Sequence, residues 1–402
     1  MNLRDKLKLY GSKEKAQAPD RQGALGALGA ETLDSGGRSV YRFAGSFAAS
    51  EVFGRWREGE GDVSLSAFAR LARAGAISSV ERLLFLDLET TSLSIGAGNY
   101  PFLIGLGRIS GGRALIEQYF LDDYASEPAI LSHLVPAFTG AEAVVTFNGK
   151  GFDMPLLKNR YRLNRVRGFP VDVPVVDLLF PCRRIFRSAS QGCSLKAMEE
   201  RVLGLPRGED VPGWMIPDVY FSYQRYGETS RIPSVLHHNS LDIRSMMALL
   251  AVLDGIYRAV EARRFEGIER AFLANLSRHL YHVDLDAFLD VMGFLGDEVF
   301  RDRGIFKKYG TALKRRGRLD EALGFWRRDG SLYSLEELAK HCEHRERDFV
   351  EAIELTNRAL ALIERGVFSD RGEELGGAEK EFHRGRFAHR MARLRRRLGD
   401  GR

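Results

Sequence analysis

Leu83-Leu84-Phe85-Leu86-Asp87-Leu88-Glu89-Thr90-Thr91 is the stretch on which the reading of this chain turns. Its first four residues are all apolar, the pattern of a strand buried on both faces. Two carboxylates follow at a spacing of two. Side chains two apart on an extended chain share a face, so Asp87 and Glu89 are expected about 6 to 7 Å apart on one side of the strand end. Such a pair can hold a divalent cation, and Thr90, Thr91 and Ser92 end the strand so that the pair sits at its rim. An isolated D-x-E is weak evidence, because exposed edge strands carry such pairs for solubility. The surrounding chain has to supply further acids.

Downstream, Tyr100 to Ile109 and Ala114 to Phe120 read as two more strands joined at Ser110-Gly111-Gly112, which makes a meander with the first. Ser126 to Phe138 reads as a helix, with Glu127 and Pro128 in its first turn. Ala143 to Phe147 is a further buried strand. It runs into Asn148-Gly149-Lys150-Gly151-Phe152-Asp153, where two glycines let the backbone turn and Asp153 opens a helix that reaches Tyr161. Asp153 reads equally as an ordinary helix cap or as a third acid. Lys158, Arg160, Arg162, Arg165 and Arg167 form a solvated face or a steering patch for a polyanion. Asp177 lies in the apolar segment Val173 to Leu179 and reads as an ion-pair partner of Arg183, Arg184 or Arg187. Tyr220, Tyr223 and Tyr226 recur at helical spacing, more in keeping with core packing than with base stacking. Val235 to Leu253 is helical by its apolar period and carries Asp242, with His238 one turn earlier and His237 five residues before.

The order Asp87, Glu89, Asp153, Asp242, with His237 or His238 before the last acid, resembles the DEDD superfamily of 3′–5′ exonucleases, which have a ribonuclease H-like fold. The wording LDLETT, FNGKGFDMPLL and HHNSLDIRSM resembles in particular the bacterial YprB-like branch, nucleases often followed by a helical repeat. The resemblance covers about residues 81 to 260. It implies an α/β fold, a mixed sheet flanked by helices, and Asp87, Glu89, Asp153 and Asp242 as ligands of two Mg²⁺ or Mn²⁺ ions. It also implies a histidine as general base. One subgroup places that histidine five residues before the last acid, matching His237. Another has tyrosine four before it, where this chain holds His238, and the His-Asn-x-x-Asp wording inclines the assignment to His238. Thr90, Asn148, Lys150 and Phe152 are the expected substrate contacts.

Composition narrows the class without naming it. The 402 residues exceed one ordinary domain, and the expected division is a flexible lead and cover segment over 1–80, the exonuclease-like domain over 81–262 and an α-helical domain over 263–402. Short strand near Ser39 to Phe43 and helix over Ser64 to Gly75 are expected within the lead. A net charge of +6 suits a nucleic-acid partner without requiring one. Cys182, Cys193 and Cys342 are too few and irregular for a disulfide framework or a zinc site. The charged start and the lack of any long apolar run predict neither secretion nor membrane insertion, hence a cytoplasmic protein. In the helical part, Ala312 with Ala322 and Ala339 with Ala352 suggest paired helices of tetratricopeptide type, or a plain bundle, suited to binding a protein partner. From His383 onward eight arginines stand against one aspartate, read as a helix laid on nucleic acid or a disordered basic tail. A catalytically silent binding scaffold and a structure-specific endonuclease are the competing readings.

Overall fold

The computed structural model describes residues 21–48, 65–75, 77–92, 96, 98–187, 192–205, 207–208, 210–369 and 374–399, and readings that fall on other residues, among them 1–20 of the lead, lie outside it. Two compact units divide the chain, Met1–Arg264 and Phe265–Arg402.

Leu83–Thr90 forms a central strand of the first unit because its apolar half has somewhere to go on both faces: Leu84, Phe85 and Leu86 are wholly buried. We number the strands β1 (Glu31–Ser35), β2 (Arg38–Ala48), β3 (Leu83–Thr90), β4 (Pro101–Ser110), β5 (Arg113–Phe120), β6 (Ala143–Thr146) and β7 (Val175–Asp177). Among the described residues they make one seven-stranded sheet in the order β1-β2-β5-β4-β3-β6-β7. β3, β4 and β5 are the expected antiparallel meander, while β6 runs parallel to β3 and β7 parallel to β6. Gly111 and Gly112 both have positive φ, the conformation that a tight hairpin between twisted strands demands.

The lead is more structured than its composition suggests. Arg21–Ala27 is helical, and β1 and β2 form a hairpin whose second strand pairs with β5 from Tyr41↔Phe120 to Ala48↔Arg113. A Gly- and Ala-rich stretch was expected to be flexible. β-Pairing against an existing edge supplies the order that local propensity does not.

Three helices position the site: α1 (Glu127–Thr139), α2 (Asp153–Leu163) and α3 (Ile232–Glu261). At the start of α1, Glu127 is buried, and it accepts from Arg160 Nε of α2 at 2.5 Å. The Arg160 guanidinium also lies over the Tyr100 ring at 4.0 Å. Arg160 is therefore not part of a solvated basic face, whereas Arg162, Arg165 and Arg167 are exposed. Tyr220 and Tyr223 are fully buried, as the helical spacing implied, and Tyr220 stacks on Phe102 at 4.2 Å. Tyr226 departs from the stripe and is exposed.

The second unit is helical over Arg270–Val283, Leu285–Leu295, Arg303–Arg315, Leu319–Asp329, Leu332–His341, Phe349–Arg365 and Gly377–Gly399. Ala312, Ala322, Ala339 and Ala352 are completely buried, as expected of residues where helices touch. The arginine-rich end is helical through Gly399, with Phe387, Met391 and Leu394 buried. Part of its charge turns inward: Arg390 and Arg393 donate to buried Glu343 at 2.8 and 2.7 Å. Among the described residues no helix is long and apolar enough to cross a membrane.

Candidate active site

β3 and β6 are parallel neighbours, so their carboxyl ends open on one rim, and the chain delivers its acids there. Asp87 and Glu89 end β3 and are half-buried. Asp153 opens α2 a short loop after β6 and is buried. Phe152, not Asp153, holds the N-cap position, and no side chain caps this helix. Asp242 comes from α3, which packs across β3, β4 and β5.

That approach of helix to sheet depends on two glycines of β4. A Cβ on Gly105 would lie 2.1 Å from Asn239 Oδ1 and 2.6 Å from Ile243 Cδ1, and one on Gly107 would lie 2.4 Å from Ile243 Cγ2. Only a bare backbone admits the helix so closely. Asn239 uses the opening: its Nδ2 donates to Asp87 Oδ2 at 2.7 Å, and its Oδ1 accepts from Gln118 Nε2 at 2.9 Å. Asp87 is thus oriented by a buried amide chain running β5 to α3 to β3.

The loop before Asp153 is held from β7. Asp177 accepts backbone N–H groups of Asn148 at 2.8 Å, Lys150 at 3.1 Å and Leu179 at 3.0 Å. Its work is to shape this turn, not to pair with the arginines that follow it. Asn148 sits in the left-handed region, φ 66°, and a Cβ on Gly149 would meet Asp153 Oδ2 at 2.4 Å. The loop therefore needs its glycine where the acid enters.

Of the two histidines, His238 faces the acids. Its Nε2 lies 3.7 Å from Asp242 Oδ2, and its Nδ1 lies 2.8 Å from Asp210 Oδ2. His237 is exposed and lines a separate cavity of about 390 Å³ with Asp210, Arg231 and Ser234. The expected substrate contacts diverge. Asn148 and Lys150 are exposed, and Lys150 lines a cavity of about 280 Å³ with Phe180 and Arg184. Thr90 is buried and donates to the Ser92 carbonyl at 2.7 Å, while Phe152 packs half-buried against the core.

Arg207 was not singled out by the sequence, yet its guanidinium joins the cluster, pairing with Glu199, Asp210 and Asp242. No local pattern marks it, since it lies in an irregular stretch between helical segments. Gly105 and Gly107 were not singled out either, although glycines interrupting a strand pattern are a sign of close backbone approach that could have marked them.

The acids feel one another. Burial pushes Asp87 well above the ordinary carboxylate range, and the charges of Asp242, Glu89 and Asp153 add to it, with the Asn239 hydrogen bond opposing. Glu89 is raised to about 8 by burial and then by Asp242, Asp153 and Asp210, against Arg207. Asp153 is raised to about 7 by burial and Asp177. Asp242 is raised by burial, with His238 and Arg207 pulling it down.

A carboxyl whose folded pKa lies above its unfolded value favours folding in its protonated form. Its contribution is complete below about 4.5 for Glu89 and is lost as pH rises through about 8. Chelator-treated protein should therefore lose thermal stability between about pH 5 and 8, and Glu89→Gln should flatten that slope. Melting curves across this range decide it, and a Tm that climbs with pH equally in both proteins would refute the assignment.

Oxygen donors of this kind suit hard divalent cations. Among the described residues no group of three or more His, Cys, Asp or Glu is disposed to hold a metal ion as the side chains stand, and Asp242 is engaged by Arg207. The donor chemistry fits nonetheless: half-buried and buried acids repelling one another are relieved by a cation, and a cation at Asp242 would displace or share that carboxylate with the guanidinium.

Residues 84–253 match the family model described as RNase_H superfamily. The chain is also similar to the uncharacterized protein YprB of Bacillus subtilis (strain 168), 29% identical over 294 residues, which is 69% of this chain and 69% of that protein.

Proposed function

We propose that the chain is a metal-dependent nuclease, a 3′–5′ exonuclease of DNA or RNA, starting from the match of residues 84–253 to the RNase_H superfamily model. The observation that carries the reading is that the charges of Asp242 and Asp153 reach half-buried Asp87 and Glu89 at the end of β3 and add to the rise that burial gives them, with His238 3.7 Å from Asp242. A nucleic-acid hydrolase is what the superfamily suggests, and clustered negative charge facing a polyanion is costly unless cations bridge the two.

The four carboxylates are the proposed ligands of two Mg²⁺ or Mn²⁺ ions, which when bound would supply Lewis acidity and neutralise phosphate charge. The chain's own groups do the rest. Asn239 holds Asp87 in one orientation, and Asp177 holds the backbone at Asn148 and Lys150 in the loop that leads into Asp153. His238 Nε2 accepts the proton of the attacking water as its oxygen bonds to phosphorus and the bond to the 3′-oxygen breaks, and that leaving oxygen takes a proton from solvent to become the 3′-hydroxyl. The helical second unit is proposed as a tetratricopeptide-like binding module for a protein partner.

A catalytically silent binding scaffold is the competing reading, and the Arg207–Asp242 pair favours it by occupying a carboxylate that catalysis would need. End-labelled single- and double-stranded DNA and RNA, incubated with Mg²⁺ or Mn²⁺, distinguish the two. Stepwise loss from the 3′ end is the expected result. Internal cuts would make the protein an endonuclease, and intact substrate under every condition would leave the scaffold.

A further inference from the structure

Two groups from outside the acidic motifs join the site, Arg207 and Asp210. Asp210 Oδ2 is 2.8 Å from His238 Nδ1, and Arg207 Nη1 donates to the same oxygen at 2.9 Å. Arg207 is itself fixed from behind, its Nε and Nη2 donating to the two oxygens of Glu199 at 2.5 and 2.7 Å. Glu199, Arg207, Asp210 and His238 have side chains only 1, 6, 11 and 12% exposed, so water competes little for these bonds.

The direction of the His238 bond follows from chemistry. A carboxylate only accepts, so a 2.8 Å contact places the proton on Nδ1. Arg207 Nη1, 3.3 Å from the same nitrogen, has its shorter bond to Asp210 and finds no lone pair on a protonated Nδ1. The basic nitrogen is then Nε2, the one that faces Asp242. Two χ angles and a tautomer are settled by one carboxylate.

We infer that Asp210 is the positioning residue for His238, fixing both ring orientation and tautomer, with Glu199 and Arg207 bracing Asp210. This is the arrangement by which buried carboxylates orient working imidazoles elsewhere in protein chemistry, reached here from a loop that precedes α3. The inference deepens the nuclease reading and rests on it for its catalytic consequence. Its structural half stands by itself.

The test joins a spectroscopic readout to an activity. In chelator-treated protein with ¹⁵N-labelled histidine, long-range ¹H–¹⁵N correlation spectra at pH 8, assigned with His238→Gln, report which ring nitrogen of His238 carries the proton. The wild type should show Nδ1–H. Asp210→Ala should make Nε2–H the major form and lower Mn²⁺-dependent cleavage about 100-fold, the size of effect seen when an orienting carboxylate is lost. Its Mn²⁺ affinity should stay near that of wild type. Asp210→Asn, which keeps a carbonyl acceptor and is the safer variant for folding, should retain most of the Nδ1–H form and most of the activity. A wild-type Nε2–H signal, or an Asp210→Ala spectrum identical to wild type, overturns the inference. Should wild type cleave no substrate at all, the nuclease reading fails, while the tautomer measurement still decides what Asp210 does.

Discussion

Asp87→Asn is expected to reduce metal-dependent cleavage roughly 10³-fold or more, about 4 kcal/mol of transition-state stabilisation, while raising the Tm of the chelator-treated protein. The two effects have one origin. Asp87 carries burial plus the charges of Asp242, Glu89 and Asp153, and its carboxylate form is held against all of them. Replacing it with an amide removes the charge and the repulsion together. The carbamoyl oxygen still accepts the 2.7 Å bond from Asn239, so the helix-to-strand contact survives and an inactive protein cannot be dismissed as an unfolded one. Initial rates with Mn²⁺ and melting curves with chelator check the pair of effects. Undiminished cleavage would remove Asp87 from the reaction, and a large fall in Tm would mean that the cluster is stabilised by charge already present.

Gly105→Ala is expected to cost about 3 kcal/mol of stability and to disable the site with it. The added methyl would sit 2.1 Å from Asn239 Oδ1 and 2.6 Å from Ile243 Cδ1, well inside van der Waals contact. The helix must retreat or Asn239 must change rotamer, and either breaks the bonds to Gln118 and Asp87. Urea titration measures the first consequence, and cleavage at a temperature where the variant is folded measures the second. Gly111→Ala offers the contrast: nothing stands within 4 Å of its Cβ, so only the strain of its positive φ remains and the site is untouched. A Gly105→Ala protein as stable and active as wild type would show that α3 is not seated as described.

Much of this was written along the chain. Strands and helices declared themselves by period, because burial of one face or both is a local demand that each segment meets alone. Leu83 to Leu86, the Gly111-Gly112 turn and the alternation of the later strands with helices sufficed to anticipate a mixed sheet covered by helices. The acids were legible as types at spacings. Their environment was not.

The sequence by itself determined which carboxylates are available, the strand end on which Asp87 and Glu89 lie, and the helices that carry Asp153 and Asp242. Only the tertiary structure decided how those acids are held. Gln118 meets Asn239 across 121 positions, and Asn239 meets Asp87 across 152. Asp177 reaches back to the loop before Asp153, and Arg207 comes from an irregular segment to pair with Asp242. The same difference explains the hairpin β1-β2, which gains its order from the edge of β5. The physical reason is the range of the forces involved. Periodicity records what a segment buries against anything apolar, whereas a hydrogen bond or ion pair needs one particular partner, and chain folding alone brings that partner within reach.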